Sequence, residues 1–291
     1  MKETEIKEEV RRFYDRVGWQ TVGEGQYQNA RYEDLRPVSQ EYIHRCHLRV
    51  NRHLKPSGRY LLDAGSGPIQ YPEYLSYSQG YQYRVCLDIS FVALKEARNR
   101  IGAHGLYVVG DVANLPFKPG VFEGIVSLHT LHHLPMNEQK WAYCELCRVL
   151  APGGVSVVVN GWTDSPLMRR SQWLVDLMER LGAWVARRRH AGPPPAPKSS
   201  PAEAAVKEEN PTGTYVQKLD ATWLRSELQV HDEMKMEIRV WRSVSVRFLR
   251  AVIHQALGGR FWLRLLYGLE ERFPHYFGEK GQYPLIVFRK E

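Results

Sequence analysis

A chain of 291 residues with 43% hydrophobic and 25% charged side chains can bury one large core with additions, and this balance confines disorder to local segments. The net charge of +8 favours anionic partners such as nucleic acid, phosphorylated metabolites or an acidic membrane surface, although a merely soluble basic protein carries the same balance. The first ten residues lack the apolar run of a secretory leader and no stretch has the roughly 18–20 apolar residues of a membrane span, so Cys46, Cys86, Cys144 and Cys147 are expected to be reduced thiols of a cytoplasmic protein.

Ile6, Val10, Phe13, Tyr14 and Val17 recur every three or four residues among charges, which predicts an amphipathic helix over 3–17. The periodicity fades over 19–37, as in a loop or lid, and returns as a helix over 38–54. A strand is expected to end on Asp63 and turn through Gly65 and Gly67, where the missing side chains let backbone approach a ligand. From there the chain alternates: helix 69–79 with Pro72 in its first turn, strand 83–87, helix 91–101, strand 106–109, strand 122–128, helix 138–150 and strand 155–159. This alternation predicts a doubly wound α/β domain, because parallel neighbours need crossover connections. Ligands in such sheets bind beyond the carboxyl ends of the strands, here Asp63, Asp88, Asp111, His129 and Asn160.

Five ordered segments carry a family resemblance over residues 58–162: Leu-Leu-Asp-Ala-Gly-Ser-Gly, Cys-Leu-Asp-Ile-Ser, Gly-Asp-Val-Ala-Asn-Leu-Pro-Phe, Ser-Leu-His-Thr-Leu-His-His-Leu and Arg-Val-Leu-Ala-Pro-Gly-Gly. Together they resemble the class I S-adenosylmethionine-dependent methyltransferases, in particular the methyltransferase type 11 group with its UbiE-like and tRNA-modifying members. The resemblance implies S-adenosyl-L-methionine as cofactor, with its methionine moiety against Gly65, Ser66 and Gly67 in a wall that begins at Asp63. It also implies that Asp88 accepts from the ribose hydroxyls, that Ile89 packs on the adenine, and that Asp111 with Val112 recognises the adenine edge. Carboxylates suit these positions because they only accept hydrogen bonds; helix capping is the other common use of an aspartate there. In one departure, Pro68 and Ile69 stand where the family often has a third glycine, which counts against a dinucleotide-binding dehydrogenase.

His129 and His132 are candidate bases for a hydroxyl acceptor; His129 is also expected to contact the cofactor, and His133 to be structural. No metal site is expected: the histidine cluster lacks a completing carboxylate or cysteine, and Cys144 and Cys147 lack a second pair. Tyr14, Tyr27 and Arg31 are expected to be lid residues over a partly apolar pocket.

The predicted organisation is N-terminal helices and lid over 1–57, a binding core over 58–162, a cap helix over 163–190, a Pro/Ala-rich linker over 191–214, and the end of the sheet over 215–291. In this seven-stranded Rossmann-like arrangement, 234–240 and 283–289 form the last strand pair. Residues 245–277 form a helical insertion expected to shape the acceptor pocket. The helix over 166–190, with its basic end, is expected to cap the core in preference to resting as a peripheral contact on an anionic membrane. The function expected is methyl transfer to a small or moderately lipophilic acceptor. The alternatives are a tRNA methyltransferase and a non-catalytic binding protein of the same fold.

Overall fold

The computed structural model describes residues 3–19, 33–189, 214–228 and 234–291. The N-terminal helix α1 (Glu3–Phe13) runs into a π turn over Tyr14–Gly18, and α2 (Gln40–Leu48) precedes the sheet. Five strands follow: β1 (Gly58–Ala64), β2 (Tyr81–Asp88), β3 (Gly105–Val109), β4 (Phe122–Leu128) and β5 (Leu150–Val159). Between them lie α3 (Phe91–Ile101) and α4 (Met136–Val149). After α5 (Pro166–Arg189) and α6 (Ala221–Glu227), β6 (Met234–Arg242) leads to α7 (Val246–Val252), α8 (Gly259–Arg272) and α9 (Pro274–Lys280), and β7 (Tyr283–Lys290) closes the sheet.

The seven strands lie in the order β3-β2-β1-β4-β5-β7-β6, with β7 antiparallel to both neighbours. Strand order reverses between β1 and β4, so their carboxyl ends splay apart into a crevice. Because β6 is antiparallel to β7, it runs in the direction of β1 to β5. Its end at Arg242 therefore reaches the same rim as Asp88 and Leu128, beside the start of β7 at Tyr283.

Both faces of this sheet are covered, which explains strands that read as apolar runs rather than alternations. Leu62, Val158 and Ile286 enter one core cluster, while Leu61, Val157, Val159 and Val287 enter the other. A third cluster packs α2 against α7 and α8 through Tyr42, Ile43, Leu249 and Leu263.

Three expectations need correction. The helix over 69–79 is a 3-10 segment over Pro72–Ser78. Tyr71, Tyr74 and Tyr77 are spaced by three, the period at which 3-10 side chains align, and their rings lie 5.2 Å and 5.4 Å apart. The helix over 166–190 forms, but it packs on α7 and carries Trp173, Leu177, Leu181 and Trp184 exposed instead of covering the core with them. The insertion over 245–277 packs on α2 and on the end of β6, where Ser243 donates to Glu270, and leaves Phe261, Trp262, Leu265 and Leu269 exposed instead of covering a pocket. No helix among the described residues is long and apolar enough to cross a membrane.

Candidate active site

Beyond the strand ends lies a cavity of about 420 Å³. Its β1–β2 wall is built from the turn after β1. Gly65 (φ +79°) and Gly67 (φ +54°) occupy left-handed backbone, and the amides of Gly65 and Ser66 both donate to the Leu87 carbonyl. A side chain at Gly65 has no room, and one at Gly67 is crowded. A Cβ at Gly65 would lie 2.2 Å from the Thr130 methyl, and one at Gly67 would lie 3.1 Å from the Trp19 ring. Ile69, at the position of the family's third glycine, also takes a positive φ of 56° and is fully buried. That conformation is costly for a β-branched residue and is held by packing against the tyrosine turn.

Asp88 ends β2. One carboxylate oxygen accepts from the Gly67 amide at 2.8 Å and the other from the Ser90 amide at 2.8 Å, so the group locks the glycine turn to the start of α3. Burial pushes its carboxyl up to about 6 despite those two amides. Ile89, Val112, Asp111 and Ser66 line the same side. Asp111 accepts from the Ala113 amide at 2.9 Å and pairs with Lys7 at 2.5 Å, which ties α1 to the rim. Asp63 departs from expectation. It lies off the cavity wall in a buried pair with Arg84, whose guanidinium also donates to the Tyr74 carbonyl. Asp63 therefore acts through Arg84 to position the tyrosine turn.

The three histidines after β4 separate by their partners. His133 Nδ1–H donates to the Tyr215 carbonyl at 2.8 Å, leaving Nε2 to accept from the Tyr14 hydroxyl at 2.8 Å; both nitrogens are used. His132 Nδ1–H donates to Asn160 Oδ1 at 3.3 Å, while Asn160 Nδ2 donates to the Tyr143 hydroxyl at 3.2 Å. This chain selects the tautomer that keeps a lone pair on Nε2. His129 takes a positive φ of 56° at the strand end, with its ring edge-on to Trp241 and Tyr283. Burial lowers His129 to about 3 and His133 to about 4 and also depresses His132 strongly, aided in His132 by the neighbouring histidines and Lys218. All three imidazoles are neutral at physiological pH.

Of the expected lid residues, Tyr14 lines the cavity with its ring stacked on Trp19 at 5.0 Å; Tyr27 and Arg31 fall outside the described residues, as does the linker over 191–213. The wall opposite Asp88 includes Tyr71 and Tyr74, from the tyrosine-rich segment after the glycine turn whose composition suits a pocket mouth, together with Glu33, Lys218, Arg242 and Tyr283, which sequence reasoning missed. Glu33 and Arg242 form a buried ion pair, and despite its burial the Glu33 carboxyl is held down at about 2 by the guanidinium and His47. No residue of 245–277 lines the cavity; the insertion reaches it only through the strand ends that flank it. Extending the strand-end rule to β6 and β7 would have found Arg242 and Tyr283.

Among the described residues, no group of three or more His, Cys, Asp or Glu is placed to hold a metal. The wall on the β1–β2 side does fit a nucleoside with an amino-acid tail. It offers a glycine cradle that a Cβ would fill, a hydrogen-bond acceptor at Asp88, and apolar faces at Ile89 and Val112.

Comparison with known proteins bears on this geometry. A family profile described as a methyltransferase domain matches residues 62–158. A tRNA (carboxymethyluridine(34)-5-O)-methyltransferase of Arabidopsis thaliana is 28% identical over 186 residues, covering 56% of this chain and 42% of its own. A phthiotriol/phenolphthiotriol dimycocerosates methyltransferase of Mycobacterium ulcerans is 28% identical over 141 residues, covering 48% and 49%. The chain thus spans less than half the length of these curated relatives. Among solved structures, geranyl diphosphate C-methyltransferase from Streptomyces coelicolor A3(2) shares the fold at a TM-score of 0.52, with 14% identity and 98% of each chain covered.

Proposed function

We propose, from a core that is a class I S-adenosylmethionine-dependent methyltransferase domain, that the protein transfers a methyl group from S-adenosyl-L-methionine to a small or moderately lipophilic acceptor. The observation that carries this reading is one cavity with two unlike walls: Gly65, Gly67 and Asp88 on one side, His132, Tyr71, Tyr74 and Tyr283 on the other. In the proposed complex, Asp88 accepts from the ribose hydroxyls, Gly65 to Gly67 admit the methionine portion, and Ile89 and Val112 flank the adenine. When bound, the donor supplies a methyl carbon already activated by its sulfonium.

The chain's own part is to position the acceptor and exclude water. Tyr14 and Trp19 close the side above Gly67. His132 presents a neutral Nε2 that accepts a hydrogen bond from the acceptor's nucleophile. Its depressed basicity suits orientation better than proton storage. A second reading, methylation of tRNA, is supported by the net charge of +8 and by the Arabidopsis relative.

Incubation with labelled methyl donor, against metabolite extract and against bulk tRNA, tests both readings. Label in the small-molecule fraction supports the first and label in tRNA the second. Label in neither, with donor binding intact, supports a non-catalytic binding protein.

A further inference from the structure

Among the described residues the cavity wall carries three cationic side chains, and they are not in the same electrostatic state. Lys7 is paired with Asp111 and Glu138, and Arg242 with Glu33. Lys218 has no carboxylate and no hydrogen-bond partner among the described residues, although it is half-buried. Its stem lies along Gly161 at the end of β5, where a Cβ would come within 3.2 Å of Cε and 3.4 Å of Nζ.

The backbone holds this ammonium in place. Residues 214–219 form an extended strap between the histidine loop and the end of β5. The Gln217 amide donates to the His132 carbonyl at 2.7 Å, and the Gln217 carbonyl accepts from Gln139 Nε2 at 2.6 Å. One residue beyond Lys218, the Leu219 carbonyl accepts from the Thr163 amide at 2.9 Å, and its side chain is buried in the core. Pinned on both sides of Lys218, the strap alternates as a strand does: Thr214, Val216 and Lys218 line the cavity while Leu219 faces the core. Thr214 adds a buried hydroxyl oxygen with no partner among the described residues.

An ammonium partly withdrawn from water and left without a counter-charge is costly, and burial lowers its proton affinity accordingly. Lys218 sits beside β5 and β7, two or more strands from β1. The ends of β5 and β7 lie on the far side of β4 from the glycine turn. The donor's wall thus does not account for it.

We propose that Lys218 is the anion-binding group of the acceptor subsite, and that the acceptor is an amphiphilic acid presenting a carboxylate or phosphate to it. The apolar body of the acid lies along Val216, Tyr71, Tyr74 and Tyr283, and its oxyanion takes the charge-assisted hydrogen bond that no protein group supplies. This rests on the reading of the cavity as a methyltransferase site. It names a substrate class that the cofactor wall leaves open.

The test uses benzoate, phenyl phosphate, benzyl alcohol and benzylamine as matched probes, titrated by NMR into the full chain with and without saturating S-adenosylhomocysteine. Benzoate or phenyl phosphate should bind at least about tenfold tighter than the alcohol and the amine, as a charge-assisted hydrogen bond implies. The better of the two oxyanions identifies the head group. Lys218→Met should reduce that advantage to about twofold or less, and Lys218→Arg should keep most of it. S-adenosylhomocysteine affinity should stay within about twofold in both variants, because they leave the glycine turn and Asp88 untouched.

Equal binding of all four probes to the wild type would overturn the proposal, as would an oxyanion preference that survives Lys218→Met. A loss of S-adenosylhomocysteine affinity in Lys218→Met would also overturn it, since the ammonium would then serve the donor's own carboxylate. Failure of S-adenosylhomocysteine to bind the wild type at all is a separate result. It removes the methyltransferase reading, while the probe titrations without that ligand still report on Lys218.

Discussion

The two walls of the cavity are built in opposite ways. The proposed donor wall is local and backbone-made: Gly65, Ser66, Gly67 and Asp88 lie within 24 residues, and their hydrogen bonds join adjacent ends of β1 and β2. The proposed acceptor wall is assembled from distant segments, with Glu33 before α2, the tyrosine turn, the 214–219 strap, and Arg242 and Tyr283 at the ends of β6 and β7. Its geometry depends on charged side chains that meet over long separations, and Glu33 and Arg242 are 209 residues apart. Shape in the donor wall is thus set by backbone angles, and shape in the acceptor wall by the buried Glu33–Arg242 pair. Variants should affect them differently.

The largest effect is expected in the acceptor wall. Arg242→Met leaves Glu33 buried without its partner and should cost about 3–5 kcal/mol in denaturant-induced unfolding, because breaking one side of a buried pair strands a charge. Glu33 is held at about 2 against an ordinary 4.5. The stability from that depressed carboxyl is therefore present above pH 4.5 and lost as pH falls toward 2. An Arg242→Met protein as stable as the wild type would break the contrast between the walls.

In the donor wall the effect should fall on ligand affinity. Gly65→Val places a branched side chain at a φ of +79° against Thr130 and should weaken S-adenosylhomocysteine binding by at least about 100-fold, since positive φ and overpacking each cost on the order of 1–3 kcal/mol. A smaller and more diagnostic effect belongs to pH. Asp88 titrates near 6, and only its ionised form has all its lone pairs free to accept. Donor affinity should therefore fall as pH drops through 6. Asp88→Asn should remove that dependence and weaken binding about tenfold at pH 7.5, the scale of a hydrogen bond to a charged group.

This contrast also explains what the sequence made legible. The glycine turn, Asp88 and Asp111 were legible because each follows an apolar strand at its carboxyl end, and Ile89 and Val112 were reached only through the family resemblance. Asp63 shows the limit of that reading. Its place in the motif suggested a ligand wall, whereas the buried guanidinium of Arg84 captures it. The tyrosine turn was misread as a helix because three-residue spacing fits both helical periods over so short a stretch. Lys218 and Glu33 carried no local signal at all: each matters through a partner, or the lack of one, that only the folded chain defines. The exposed apolar residues of α5 and α8 were read as covering layers because periodicity marks an apolar face without saying what lies against it.

The smallest predicted effect concerns the π turn over Tyr14–Gly18, where Tyr14 lines the cavity. Tyr14→Phe removes the hydroxyl that donates to His133 Nε2 and should cost about 1 kcal/mol of stability, with donor affinity reduced only a few-fold. A much larger loss of affinity would show that the π turn over Tyr14–Gly18 is part of the donor wall.

The central claim is that the Gly65–Asp88 wall holds the methyl donor. Calorimetric titration with S-adenosylmethionine at pH 7.5 tests it most directly. Saturable binding at one site per chain, abolished by Asp88→Ala, is the result predicted. No heat with the intact protein, or equal affinity in Asp88→Ala, would contradict it.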